Sequence, residues 1–199
     1  MSEIKAFNRW STQDIKVNDV GLQGYISTSP RYVPKTGAKY AGQRFHKSNV
    51  FIVERLINKL MIPGHKGKKH KYSSGLCAGK ATTVYNIVEK ALEYIENKTK
   101  KNPIEVLVKA IENAATREEI VTIEYGGARY PKPVECAPQR RVDLVLRWFT
   151  QGAYEKSFCK KIPAFQALAE EILGAYDNNT RSFAAQKKKD IERQADSSR

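Results

Sequence analysis

The sequence has 199 residues, 41% hydrophobic and 28% charged, with a formal net charge of +14. That length suits one domain with tails, and the mixture of both charge signs excludes a disordered polycation. The opening MSEIKAFNRWS lacks an apolar signal core and no run approaches ~18 apolar residues, so no signal peptide or membrane partner is expected and the setting is cytoplasmic.

Residues 1–30 are weakly periodic, with Phe7 and Trp10 as apolar anchors of an extended arm packed on the main body. From Arg31 to Lys71 the chain carries 11 Lys and Arg against one acid, Glu54, which is +10 of the total. A field concentrated in this way selects a polyanion, because each cation near a phosphate releases condensed counterions. Within it, residues 29–47 interleave Arg31, Lys35, Lys39, Arg44 and Lys47 with Tyr32, Tyr40, Phe45 and His46. Prolines and glycines forbid a long helix there. Charges that meet phosphates and rings that stack on bases suit RNA; the alternative is a solvated loop with tucked aromatics.

Ser48 has the position of an N-cap, and the spacing of Val53, Leu56, Ile57, Leu60 and Met61 predicts a helix to about Ile62. Arg55 and Lys59 stand four apart and present two cations on another face. Pro63-Gly64 ends the helix, and a basic loop with Lys66, Lys68, Lys69 and Lys71 follows. A second helix is expected over 80–97. A third opens at Asn102-Pro103, with Glu105 placed for a capping box, and runs to about Ala115. The period then changes to two over Ile120–Tyr125, Gly126-Gly127 marks a hairpin turn, and Ala128–Val134 returns. Pro131 and Pro133 keep the return strand off a larger sheet. Such a hairpin must lean on something; it either projects a basic tip with Tyr125, Arg129, Tyr130 and Lys132, or folds down on the helices. Pro138 opens a fourth helix bearing Arg140, Arg141 and Arg147, and Pro163 a fifth. Residues 181–199, with Lys187, Lys188 and Lys189, read as a basic helix or tail.

The predicted fold class is mainly α: a bundle of about six helices with a protruding β-hairpin at about 119–136. A basic arm over 1–47 precedes a core over 48–180, and a basic terminus follows. Catalytic chemistry is not evident. The segment Gly75–Thr82 has one residue too few between its glycines for a phosphate-binding loop, and Ala81 sits where the magnesium ligand belongs. His46, His65 and His70 lack zinc spacing and lie among cations, and Cys77, Cys136 and Cys159 form no paired motif. No cofactor, metal or enzymatic activity is expected.

The order of features resembles the small-subunit ribosomal protein S-seven family in its archaeal and eukaryotic form. The resemblance is carried by Gly42–Phe45, Ile52–Met61, Asn102–Val108, Ala110–Asn113, Tyr125–Tyr130, Pro138–Asp143 and Lys187–Arg193, in order along nearly the whole chain. Residues 70–79 and the two prolines around Lys132 depart from it. The resemblance implies a helical bundle with a protruding hairpin. It also implies a primary rRNA binder that organises the 3′ major (head) domain of the small subunit beside neighbouring ribosomal proteins, near E-site tRNA and the mRNA exit path. By position, Arg31–Lys71, Arg140, Arg141, Arg147, Lys187 and Lys188 match its rRNA-facing parts. The tip residues Tyr125, Gly126, Gly127, Arg129, Tyr130 and Lys132 match the part near tRNA.

Charge and shape give the expected mechanism: cations lower the repulsion between converging rRNA helices while Tyr40, Phe45 and Tyr130 stack on unpaired bases. Arms at 1–47 and 181–199 are expected to order on RNA. Two rivals are a nucleic-acid-modifying enzyme, which requires turnover, and a DNA-architectural protein, which requires equal affinity for duplex DNA.

Overall fold

The computed structural model describes residues 4–63 and 80–199, with the backbone of two short paired strands, β1 (His65–Lys66) and β2 (Lys69–His70). Among these residues lie six α-helices and a second antiparallel hairpin, so the fold is mainly α with a β-hairpin.

The first helix, α1, spans Ile52–Leu60 and starts later than an N-cap at Ser48 would place it. Ser48 Oγ donates to the Phe45 carbonyl at 2.9 Å inside a 3₁₀ turn over His46–Asn49. That hydroxyl therefore closes the turn and does not cap the helix. Phe51 takes the entry position in extended backbone, and its side chain is fully buried.

Helix α2 (Ala81–Thr99) ends at Lys100, whose left-handed φ of 56° breaks the helix. Helix α3 (Pro103–Ala114) opens as its sequence indicates, with Asn102 Oδ1 accepting from Ile104 N at 3.1 Å and proline at the first position. The same Asn102 donates from Nδ2 to the Ser11 carbonyl at 2.6 Å, which ties the N-terminal segment to the bundle. Helices α4 (Pro138–Ser157) and α5 (Ala164–Tyr176) follow the hairpin, and α5 packs against α2, α3 and α4. The centre is built from Leu92, Ile95, Leu107, Ile111, Leu146, Phe149, Leu168 and Ile172.

Residues 4–30 belong to this core and are not a loose arm. Ala6, Phe7, Trp10, Leu22 and Ile26 are buried, with Phe7 against Tyr85 at 4.8 Å between ring centroids. Glu112 Oε1 accepts from the backbone N–H groups of Asn18 and Asp19, and Ser27 O accepts from Ile52 N at 3.0 Å. The C-terminal residues are likewise a packed helix, α6 (Phe183–Ser197), burying Ala184, Ala185 and Ala195. Glu171 of α5 is fully buried and supports its start, accepting from Ser182 Oγ at 3.0 Å and Phe183 N at 2.9 Å. Lys156 of α4 reaches the same carboxylate at 2.7 Å. The carboxylate fits because residue 152 is glycine: a Cβ there would stand 2.7 Å from Glu171 Cδ.

The hairpin pairs β3 (Glu118–Tyr125) with β4 (Ala128–Glu135) in unbroken register from Glu118↔Glu135 to Tyr125↔Ala128. Gly126 and Gly127 have φ of 58° and 82°, the positive pair that a two-residue loop twisted with its strands requires. Its base leans on α6, while residues 121–132 are all exposed. The distal part therefore projects, by roughly 17 Å at about 3.4 Å per residue. Cys136 at the strand end is buried and Cys159 exposed, both as free thiols.

Candidate nucleic-acid interface

The basic aromatic segment lies over α1 and the start of α4. Its fold is set by polar contacts because its sequence has little to bury. Gln139 Nε2 donates to the Phe45 carbonyl at 3.4 Å and to Ser48 Oγ at 3.3 Å, pinning the segment to α4. Thr36 donates from both N and Oγ1 to Glu54 Oε1, at 2.7 and 2.6 Å, pinning it to α1.

On this scaffold Lys35, Lys39, Arg44, Phe45 and His46 are exposed, and Arg31 and Tyr40 half-buried. Arg31 donates to Tyr40 Oη at 3.0 Å, and both the Arg31 guanidinium and Lys39 Nζ stand about 6 Å from the Tyr40 ring centre. Arg44 lies over the Phe45 ring at 5.7 Å, and Phe45 is 65% exposed. Rings with cations already beside them present stacking faces and phosphate partners together.

Behind this segment, Lys47, Arg55, Lys59 and Arg147 surround one acid, Asp143 of α4. Lys47 and Arg55 both bind it, Arg55 through Nη2 at 3.1 Å. Burial raises the Asp143 pKa, but hydrogen bonds and charge from Lys47 and Arg55 outweigh it and hold the carboxyl below its usual range. Lys59 is shifted downward by burial, partly offset by Asp143 and reinforced by Arg147, Lys47 and Arg55. The cluster is overcharged, and a phosphate would relieve it.

Three expected RNA contacts point elsewhere. Arg55 does not share an exposed face with Lys59: it is buried, and its other nitrogen donates to the Tyr25 carbonyl at 2.8 Å. Its long stem reaches inward from a helix whose neighbouring positions, Glu54 and Leu56, are also covered. Arg141 is buried as well, donating to Thr116 O at 3.0 Å and to Asp19 Oδ2 at 2.7 Å. Lys188 donates to the Asn113 carbonyl at 2.7 Å and is part-buried. These three hold the fold together. Arg147 is exposed on α4, Arg140 is held by Glu119 at 2.8 Å, and Lys187 lies over Phe183 at 5.7 Å. The side chains of His65, Lys66, Lys69 and His70, and all of Lys68, Lys71, Cys77 and Gly75–Gly79, lie outside the described residues.

At the hairpin, Tyr125 is 82% and Tyr130 59% exposed, and Arg129 and Lys132 are exposed beside them. The tip does not fold down on the helices. Among the described residues no acid and histidine cluster could hold a metal, and no helix is long and apolar enough to cross a membrane. The acids that organise the site, Glu54, Asp143, Asp19 and Glu119, were not singled out as site residues by pattern. The one available signal was rarity: Glu54 is the lone acid among eleven cations.

The family described as Ribosomal protein S7p/S5e matches residues 22–199. The chain belongs to that family. It is 49% identical to the small ribosomal subunit protein uS7 of Nanoarchaeum equitans, over 99% of this chain and all of the relative. It is 45% identical to uS7 of Archaeoglobus fulgidus, over 99% and 96% of the two chains, and 48% identical to uS7 of Methanosphaera stadtmanae, over 96% of each. Family membership accounts for the bundle, the hairpin and the basic segment together, as the resemblance in sequence implies.

Proposed function

We propose that the protein is a structural, non-enzymatic constituent of the small ribosomal subunit in the cytoplasm. It binds rRNA of the 3′ major domain and organises the subunit head, next to other small-subunit proteins. The observation that carries this reading is near full-length similarity to archaeal uS7 proteins. The exposed Lys35, Lys39, Arg44, Phe45 and His46 surface above the overcharged Asp143 cluster supports it physically.

Lys47, Lys59 and Arg147 neutralise phosphates where rRNA helices converge. Tyr40 and Phe45 stack on unpaired bases, and the rigid bundle fixes the spacing, so RNA shape is read more than sequence. The projecting hairpin reaches E-site tRNA and the mRNA exit path through Tyr125, Arg129, Tyr130 and Lys132, with Gly126 and Gly127 keeping the tip narrow. Residues 4–47 and 181–199 act together with the described part of the core because both stretches pack on it.

The test is binding to a transcript of the 3′ major domain, titrated with salt and with duplex DNA as competitor. Tight binding that survives excess DNA is expected. Binding abolished by DNA, with no RNA preference, would overturn the reading.

A further inference from the structure

The projecting hairpin has two unlike edges. Its loop of Gly126 and Gly127 is closed by the Tyr125↔Ala128 pair, so that pair exchanges ladder hydrogen bonds, and every second pair below it does the same. The bonded pairs are therefore Ile123↔Tyr130 and Val121↔Lys132. The alternate pairs, Glu124↔Arg129, Thr122↔Pro131 and Ile120↔Pro133, turn their backbone groups outward. Both prolines thus fall at outward positions of β4. They remove no ladder bond, which explains the unbroken register, and they strip donors from the β4 edge. The β3 edge has no such protection. Ile120, Thr122 and Glu124 keep outward N–H and C=O groups, and among the described residues no strand or loop pairs with them.

The side chains differ in the same sense. The cations Arg129 and Lys132 are both on β4. Strand β3 has none and carries Glu118, Glu119 and Glu124. Arg199 and Arg140 hold the first two at the base, but the Glu124 side chain is 60% exposed near the tip. Between them Val121 and Ile123 are exposed apolar residues. A phosphate backbone finds no cation along β3 and an acid near its end. An extended polypeptide finds a row of free backbone donors and acceptors, two apolar side chains to cover and a carboxylate for a Lys or Arg. Open apolar edges invite another strand, and strand addition is a recurrent mode of protein recognition.

We propose that the β3 edge accepts an extended segment of a neighbouring small-subunit protein, one that alternates apolar and basic residues, as a third strand of the hairpin. Its backbone bonds Ile120, Thr122 and Glu124, its apolar side chains cover Val121 and Ile123, and a cation meets Glu124. The proposal rests on the ribosomal reading. It divides the hairpin into a protein edge on β3 and a nucleic-acid edge on β4.

The test follows backbone amide exchange, residue by residue, in three states: the free chain, the chain on protein-free small-subunit rRNA, and the chain in assembled small subunits without tRNA or mRNA. The amides of Ile120, Thr122 and Glu124 are expected to exchange freely in the first two and to slow by at least about tenfold in the third. Free exchange in assembled subunits overturns the proposal. Slowing on rRNA alone gives the edge to RNA, and slowing in the free chain that rises with its concentration gives it to a second copy; either result also overturns the proposal. Thr122→Pro removes one outward donor, as Pro131 does opposite it, and leaves the ladder intact. A folded Thr122→Pro chain, checked by thermal melting, should still bind rRNA yet lose the slow exchange at Ile120 and Glu124 in subunits. Slow exchange retained in that variant counts against the third strand. A chain that fails to enter subunits rejects the ribosomal reading and the proposal with it, whereas one that enters with β3 exchanging freely rejects the third strand alone.

Discussion

Asp143 separates folding from binding in a way that one substitution can test. It stands among Lys47, Arg55, Lys59 and Arg147, and accepts directly from the first two. Asp143→Asn keeps the shape and removes the charge. Breaking a fully buried ion pair costs roughly 3–5 kcal/mol because the surviving charge is stranded. The value is smaller here: the Asp143 side chain is 18% exposed and that of Lys47 is 44% exposed, while Arg55 keeps its bond to the Tyr25 carbonyl. A loss of about 2–3 kcal/mol is expected, from the Arg55 side of the pair. At roughly 2–4 °C per kcal/mol for a chain this size, Tm falls by about 4–12 °C.

Binding should move the other way. With the acid gone, Lys47 and Lys59 have no internal competitor for phosphate. Affinity for the transcript rises, and the salt dependence steepens by about 0.7–0.9 in log–log slope for each additional cation engaged. Urea denaturation and a salt series of RNA titrations measure the two effects separately. A second check is acid stability. The folded Asp143 pKa is depressed, so its contribution is present above the ordinary aspartate pKa of about 3.9 and is lost as pH falls through the folded value. Asp143→Asn should flatten the stability profile in that window. A variant within about 0.5 kcal/mol of the parent would refute the structural half of the reasoning. A folded variant with weaker RNA binding would refute the electrostatic half.

Other expectations follow from the same geometry. Lys59→Gln and Arg147→Gln should each weaken transcript binding by about 1–3 kcal/mol with little change in melting, whereas Arg55→Gln should lower Tm; paired melting and binding measurements distinguish them. The Lys59 pKa is depressed in the free protein, and a bound phosphate raises it, so RNA affinity should fall as pH rises through the free value below the usual lysine range. Lys59→Arg should remove that pH dependence. Gly152→Ala forces the buried Glu171 carboxylate from its contacts and should cost about 1–3 kcal/mol by calorimetry. Tyr125→Ala with Tyr130→Ala should leave stability within about 0.5 kcal/mol and weaken E-site tRNA binding by assembled subunits.

Elements with their own chemistry are legible in the sequence. The α3 entry was set by Asn102 and Pro103, the hairpin loop by two glycines, and the cores of α2, α4 and α5 by apolar spacing. Elements defined by partners distant in sequence are not. Ser48 has the residue type of an N-cap, but its hydroxyl closes a preceding turn, so α1 begins four residues later. In the N-terminal segment Phe7 and Trp10 announce anchors on the body, but its weak periodicity does not show that Leu22 and Ile26 join the same cluster.

The same distinction explains the basic residues. Net charge singles out the segment proposed to meet a polyanion, because an electrostatic field depends mainly on where charges accumulate. It cannot say which cations remain available, since that depends on acids far along the chain. Arg55 and Lys59 differ little by pattern, yet Asp143, 88 residues beyond Arg55, helps to bury one while leaving the other half-exposed. Arg140 and Arg141 are adjacent, yet Glu119 holds one at the surface and Asp19, 122 residues before Arg141, draws the other inward. The scarce acids therefore decide the roles of the abundant bases. In a strongly cationic chain they are the first residues to test when binding cations must be told from structural ones.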